Sequence, residues 1–239
     1  MPYKLFFSTL LFLSPALHAD SKLTVLTEDY PPFQYLTSEG KLAGTSFLIV
    51  DEVLKNTSFD YQIQIMPWAR AYKNVTELPN TLIFSMLQTP ERIEQFKWLV
   101  PLCKVTMSFY TLLERDDVSI NTFDDIFAYK IGVEREQATK AFLIKKGLQK
   151  NIVEVNHNDQ LREMMKYKRT DVILISDSYA KELKNTPSII NNQLRHLFTI
   201  DELNQTLFLA ANINTSDKIV NTIKKSYQQL KIAKPRQCP

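Results

Sequence analysis

Short apolar runs alternate with stretches of helical period along this chain. Residues 23–26 (LTVL) form a short strand that runs into a polar, proline-bent loop ending Tyr30-Pro31-Pro32-Phe33. Between residues 47 and 54 the apolar positions recur at helical spacing, behind Gly44-Thr45-Ser46, a sequence suited to a helix cap. Residues 61–66 alternate as a strand does, and Pro67-Trp68 opens a helix with proline at its start. Residues 81–86 are a further strand. Thr89 then caps a helical turn with Pro90 at its first position, which sets Arg92 at a helix start. This β-α alternation predicts a parallel sheet.

The second half repeats the rhythm. Strands are expected at 105–113, 130–133, 152–155, 171–175 and 206–210. The run at 171–175 (DVILI) has the continuous apolar character of a strand buried on both faces. A short helical turn is expected at 122–126. Helices are expected at 137–146 (ended by Gly147), 159–166 (capped by Asn158 or Asp159), 178–183 and 216–230. The last is amphipathic, with Ile219, Ile223, Tyr227 and Leu230 on one stripe. No flexible linker divides the two halves, so extended strands must connect them.

Composition removes several function classes. Four glycines in 239 residues are spaced so that no dinucleotide fingerprint or P-loop can form. Three histidines without H-E-x-x-H and two distant cysteines give no zinc pattern, and no metal site is expected. A formal charge of +3 with no long basic block argues against nucleic acid.

The first nineteen residues read as an export signal. Lys4 is the positive start, residues 5–13 are a nine-residue apolar run, Pro15 breaks it, and Ala19 precedes cleavage. A permanent membrane helix needs about 20 apolar residues. The expected location is the periplasm, where a disulfide persists. Cys103 and Cys238 are the only cysteines, and they can either bridge or remain two thiols.

Several segments, in this order, resemble the periplasmic solute-binding proteins of family 3, which capture polar amino acids for ABC importers. They are Tyr30-Pro31-Pro32-Phe33, Gly40-Lys41-Leu42-Ala43-Gly44, Pro67-Trp68-Ala69-Arg70-Ala71 and Ser85-x-x-x-Thr89-Pro90-Glu91-Arg92. Phe96-Lys97-Trp98, Pro101-Leu102, Lys130-Ile131-Gly132-Val133 and Thr170-Asp171-Val172-Ile173 follow. The resemblance implies an α/β fold of the two-lobed periplasmic binding protein type (type II). Each lobe is a mostly parallel sheet flanked by helices, and two crossing strands join them. The implied bounds are 1–19 for the signal peptide, 20–108 for lobe one, 109–203 for lobe two and 204–239 for the return to lobe one. The crossings would fall near 108–112 and 203–210. The protein would be a monomer that needs no cofactor, closes on a small-molecule solute and serves an ABC permease.

The resemblance also implies site residues. Arg92 matches the arginine that grips the ligand's α-carboxylate, a role suited to a planar guanidinium; its bland reading is a solvent arginine paired with Glu91 or Glu94. Tyr30 and Trp68 match positions that sandwich the ligand side chain, against the ordinary reading of aromatic core packing. Ser85 and Thr89 can add donors to the carboxylate, or can serve only as strand-end and cap residues. Glu28 lies near a position whose carboxylate meets the ligand, and it can accept an ammonium. Lobe two departs from the pattern. Ser176 stands where amino-acid binders carry the acidic residue for the α-ammonium, with Asp177 beside it. The turn Glu134-Arg135-Glu136-Gln137 replaces the usual small residues. Both departures leave open whether the ligand has an α-amino group. Two further readings stand beside transport: a ligand-sensing module for a membrane signalling partner, and a dehydratase-like enzyme. The enzyme would use carboxylates such as Glu28, Glu134, Glu136 or Asp177 as acid and base. The expectation is a binding protein, not an enzyme.

Overall fold

The structure, a computed structural model, describes residues 22–185, 193–230 and 238. The export-signal reading falls on residues 1–19, outside the described residues. Two five-stranded sheets organise the chain, beside a two-stranded ribbon of β2(Tyr35–Leu36) and β3(Leu42–Ala43). The first runs β4(Tyr61–Ile65), β1(Leu23–Thr27), β5(Thr81–Leu87), β12(Thr206–Asn212), β6(Phe96–Lys104). The second runs β11(Leu194–Thr199), β7(Met107–Leu112), β10(Val172–Ser176), β8(Ile131–Glu134), β9(Ile152–Val155). In each sheet one strand opposes the other four: β12 in the first and β7 in the second. Every residue of β5 and of β10 is buried, as continuous apolar runs require of central strands.

Helices α1(Thr45–Lys55), α2(Trp68–Glu77) and α6(Asp217–Gln229) belong to lobe one, and α3(Ala138–Lys145), α4(Asp159–Lys166) and α5(Asp177–Asn185) to lobe two. Ser216 caps α6 through its hydroxyl, which accepts from the N–H of Ile219. At α1 the expected side-chain cap is absent. The N–H groups of Thr45, Ser46 and Phe47 donate instead to the carbonyls of Pro32 and Phe33, at 2.8–3.2 Å. The helix therefore starts on the aromatic-proline loop and holds that loop in place. Gly44 makes the approach possible: its φ is +113° and a Cβ there would lie 2.4 Å from the Phe33 oxygen.

Three sequence expectations change. The first crossing falls at Val105–Thr106, so residues 108–112 lie inside β7 and the expected lobe boundary at 108 cuts that strand. The return lies between β11 and β12. Two strands of the five-stranded sheets, and the short β2–β3 pair, were not anticipated. β6 is an edge strand that accommodates Pro101 because it pairs on one side only, with β12; β11 pairs with β7. The turn at Thr89 is not an α-helix start. It leads into a three-residue 3-10 turn, Ile93–Gln95, and the N–H groups of Arg92 and Ile93 both donate to the Thr89 carbonyl. Those two N–H groups are committed to that carbonyl and are not offered to an anion.

Cys103, in β6, and Cys238 form a disulfide that closes a loop of 135 positions. Cys238 also donates its N–H to the Lys104 carbonyl at 2.7 Å. In the chain-entropy account a loop of that length restricts the unfolded state by about 5 kcal/mol. The Cys103→Ser, Cys238→Ser double variant is expected to lose about 2–5 kcal/mol in a urea titration, with no further loss on adding reductant.

Candidate functional site

Parallel strands present their carboxyl ends along one edge of each sheet, and in open α/β sheets ligands bind outside those ends. In lobe one, β1 leads to Glu28 and Tyr30, β4 to Pro67 and Trp68, and β5 to Thr89 and Arg92. In lobe two, β8 ends on Glu134, β9 leads to Asn158 and β10 ends on Ser176. The two edges face each other, and three sets of contacts join them.

The first set is a buried acid pair. Glu28 and Glu134 are 4% and 3% exposed. Gln137 donates its amide to Glu28 at 2.7 Å and to Glu134 at 3.3 Å. Asn158 donates to Glu134 at 2.6 Å and to Glu28 at 3.2 Å. The backbone N–H of Trp68, at the start of α2, also reaches Glu134. Burial, then the charge of Glu134, raises the Glu28 carboxyl well above the ordinary carboxylate range. Burial raises Glu134 as well, opposed by its hydrogen bonds and by His157. Two carboxyls buried side by side disfavour double ionisation, and the stronger upward push falls on Glu28.

The second set is aromatic and hydroxylic. Tyr30 donates its hydroxyl to Ser176 Oγ at 2.8 Å and accepts from the Ser176 N–H at 3.3 Å. Ser176 Oγ also accepts from the N–H of Tyr179 at 3.2 Å. The Tyr30 and Tyr179 rings lie 4.9 Å apart. Burial raises both phenols above their ordinary value, so they remain protonated donors. Asp177 turns away from this contact and accepts from Tyr110 at 2.8 Å.

The third set meets on a single carbonyl. Trp68 Nε1 donates to the Glu136 oxygen at 3.0 Å, and Arg92 donates to the same oxygen at 2.8 Å. Glu136 has φ +61°, a left-handed conformation rare for a side chain of its size. The Arg92 guanidinium lies 4.8 Å from the Tyr72 ring centre and 5.8 Å from that of Trp68. Burial lowers its pKa, but an arginine stays cationic.

A small cavity of about 30 Å³ lies between these contacts, lined by Glu28, Tyr30, Ser85, Met107 and Ser176 among others. It has room for a water or two. A second cavity of about 450 Å³ opens beside it, with Glu28, Asp29, Glu134 and Asp159 in its walls alongside His157 and Tyr179. Arg92 and Thr89 line a third, of about 240 Å³, with Glu136 and Gln137. Of the eight residues expected at the site, Glu28, Tyr30, Ser85 and Ser176 therefore meet at the central cavity, and Arg92 and Thr89 sit one step away. Trp68 is 1% exposed and its ring belongs to the lobe-one core with Leu26, Ile83 and Phe96; its indole N–H and its backbone N–H face lobe two. Among the described residues no group of three or more His, Cys, Asp or Glu is arranged to hold a metal ion.

Asn158 had no place among the expected site residues, and Gln137 entered only as the last residue of the lobe-two turn that begins at Glu134. Asn158 occupies the N-cap position of α4 but makes no capping bond, because its amide is committed to the two carboxylates. Ser85 has φ +61° and donates its hydroxyl to Gln34 at 2.5 Å.

Two sheets whose strand ends face across a cleft define a two-lobed periplasmic-type binding protein. The model of bacterial extracellular solute-binding proteins, family 3, matches residues 23–232, and the chain belongs to that family. No curated protein matches significantly. Among solved structures, a histidine kinase sensor domain superposes with a TM-score of 0.76 at 14% identity, over 88% of this chain and 90% of the other. An ancestral arginine-binding protein bound to arginine gives 0.74 at 17% identity, over 88% and 92%. The arginine-, lysine-, histidine-binding protein ArtJ of Geobacillus stearothermophilus gives 0.72 at 18%, over 87% and 89%. These likenesses establish the fold.

Because Tyr30 reaches across to Ser176, Tyr30→Phe is expected to lower stability by about 1 kcal/mol, seen as a fall of about 2–4 °C in melting temperature.

Proposed function

We infer that this chain is a periplasmic receptor for a small amino-acid-like solute, which it captures between its lobes and delivers to an ABC importer. One observation carries the reading: charged groups of both signs, supplied by strand ends of both lobes, converge on one cleft. On one side stand the acid pair and the acidic side cavity, suited to an ammonium or guanidinium. On the other stands Arg92, engaged by a neutral carbonyl. A carboxylate is a stronger acceptor than an amide oxygen, so a solute carboxylate could take the place of the Glu136 carbonyl once the lobes part. A zwitterion with a basic side chain complements both ends. The arginine, lysine and histidine binding of the solved relatives supports this choice, as does the family's extracellular character. The central cavity is too small for such a solute, so binding requires the Tyr30–Ser176 and Glu136 contacts to separate, with bending at the two crossings.

A second reading is favoured by the sensor-domain superposition: the same capture could report to a membrane kinase instead of feeding a permease. Pull-down from solubilised membranes separates the two by the partner recovered.

The test is a thermal-shift panel of amino acids, polyamines and dicarboxylates on protein stripped by unfolding and refolding. A solute at 100 times its Kd adds about 2.7 kcal/mol to stability. Basic amino acids are expected to raise the melting temperature. The rise should vanish in Arg92→Ala and Arg92→Lys variants that still melt cooperatively. Silence across all amino acids would overturn the reading, and a rise that survives both substitutions would remove Arg92 from the carboxylate grip.

A further inference from the structure

The acid pair is unusual in belonging to both lobes. Glu28 lies on the loop after β1 and Glu134 at the end of β8, so the two carboxyls are neighbours only when the strand ends of the two sheets face each other. Two side-chain amides, from Gln137 and Asn158, straddle them, each donating to both. With both carboxyls ionised in this buried setting, two negative charges would share two neutral donors, an expensive arrangement. When the lobes separate, each carboxyl regains water and its ordinary acidity.

The surroundings do not supply the missing counter-charge. From the loop after β1, Asp29 and Tyr30 face the pair; from the segment leading into α4 come His157 and Asp159; α5 contributes Tyr179. The start of α2 offers one N–H, from Trp68, directed to Glu134. Arg135 is close in sequence but turns to Glu154 at 3.4 Å. Among the described residues, His157 is the cation whose charge acts on Glu134; Arg162 of α4 acts on Tyr179, and the acidic Asp29 and Asp159 stand with His157 around the side cavity.

We propose that Glu28 and Glu134 form a proton-operated latch: the lobes close on each other with uptake of one proton, and the cationic group of a solute replaces that proton as the counter-charge. The proposal builds on the receptor reading above by adding its regulation. It makes closure pH-dependent in a definite direction. The proton is held more tightly in the closed form than in the open one. The latch is therefore complete at low pH and is lost as pH rises through the raised titration of the pair. With one proton linked to closure, the closure constant falls by up to tenfold per pH unit in that range.

The measurement follows closure between pH 5 and pH 9 without added solute, by small-angle scattering and by the fluorescence of Trp68 in a Trp98→Phe background. The wild-type protein is expected to open as pH rises. Glu28→Gln keeps the shape and supplies a permanent donor to Glu134, so it is expected to stay closed throughout. Glu134→Gln provides the same test from the other lobe if the first variant does not fold. His157→Gln is expected to retain the wild-type slope. A flat wild-type profile, or an unchanged slope in the glutamine variants of the pair, would overturn the latch, and so would a slope abolished by His157→Gln alone. No solute enters this titration, so its failure leaves the receptor reading standing, while a silent solute panel leaves the titration valid.

Discussion

Polar groups buried where two lobes meet must find their partners on the opposite side, and this constraint shapes the whole cleft. Glu28 cannot be buried without Gln137 and Asn158, which lobe two supplies. Ser176 is wholly buried and takes the Tyr30 hydroxyl from lobe one. The Glu136 carbonyl depends on an indole and a guanidinium from across the gap. Each lobe thus carries half of several hydrogen-bond sets: Glu28, the Tyr30 hydroxyl and the Glu136 carbonyl find partners across the gap, while Glu134 and Ser176 are also held within lobe two. A hydrogen bond contributes only about 1 kcal/mol net, whereas a stranded buried partner costs about 1–3 kcal/mol. The lobes are held in register less by attraction than by the cost of leaving these groups unmatched.

The sheets deliver those groups to the same place by a simple rule. The β-α-β order makes three neighbouring strands in each lobe parallel, so their carboxyl ends fall on one edge. The crossing segments then turn the second edge toward the first. The aromatic-proline loop is held between these demands. The first N–H groups of α1 grip it from behind through Pro32 and Phe33, and Tyr30 projects from it toward Ser176. A glycine at position 44, remote from the cleft in the chain, is what allows the helix to sit close enough.

Much of this architecture was legible in the residues. β10 announces itself as a run of apolar residues, β5 as a largely apolar strand broken by Ser85, and α6 as the apolar stripe of a long helix. β6 does not, because Pro101 and Lys97 interrupt its pattern, and only its edge position makes the proline acceptable. At the cleft, the residues that a linear reading finds are those whose type is telling by itself: an arginine after Thr-Pro-Glu, a tyrosine beside two prolines. Asn158 and Gln137 escape it because each sits where a helix begins, a position that suggests a cap, although neither side chain makes a capping bond there. Their partner, Glu28, is 130 and 109 positions away. Glu28 and Glu134 both stand out as cleft carboxylates on a linear reading, but nothing in the sequence shows that they meet as a pair.

The acceptor shared by Trp68 and Arg92 is a main-chain oxygen, presented by a residue in the left-handed conformation. Its position is set by a dihedral angle and not by a side chain. The letter at position 136 can therefore drift without the contact being lost, with glycine and asparagine the least strained occupants. A comparison that scores residue identity would pass over this position as variable, although it is where two donors of one lobe take hold of the other.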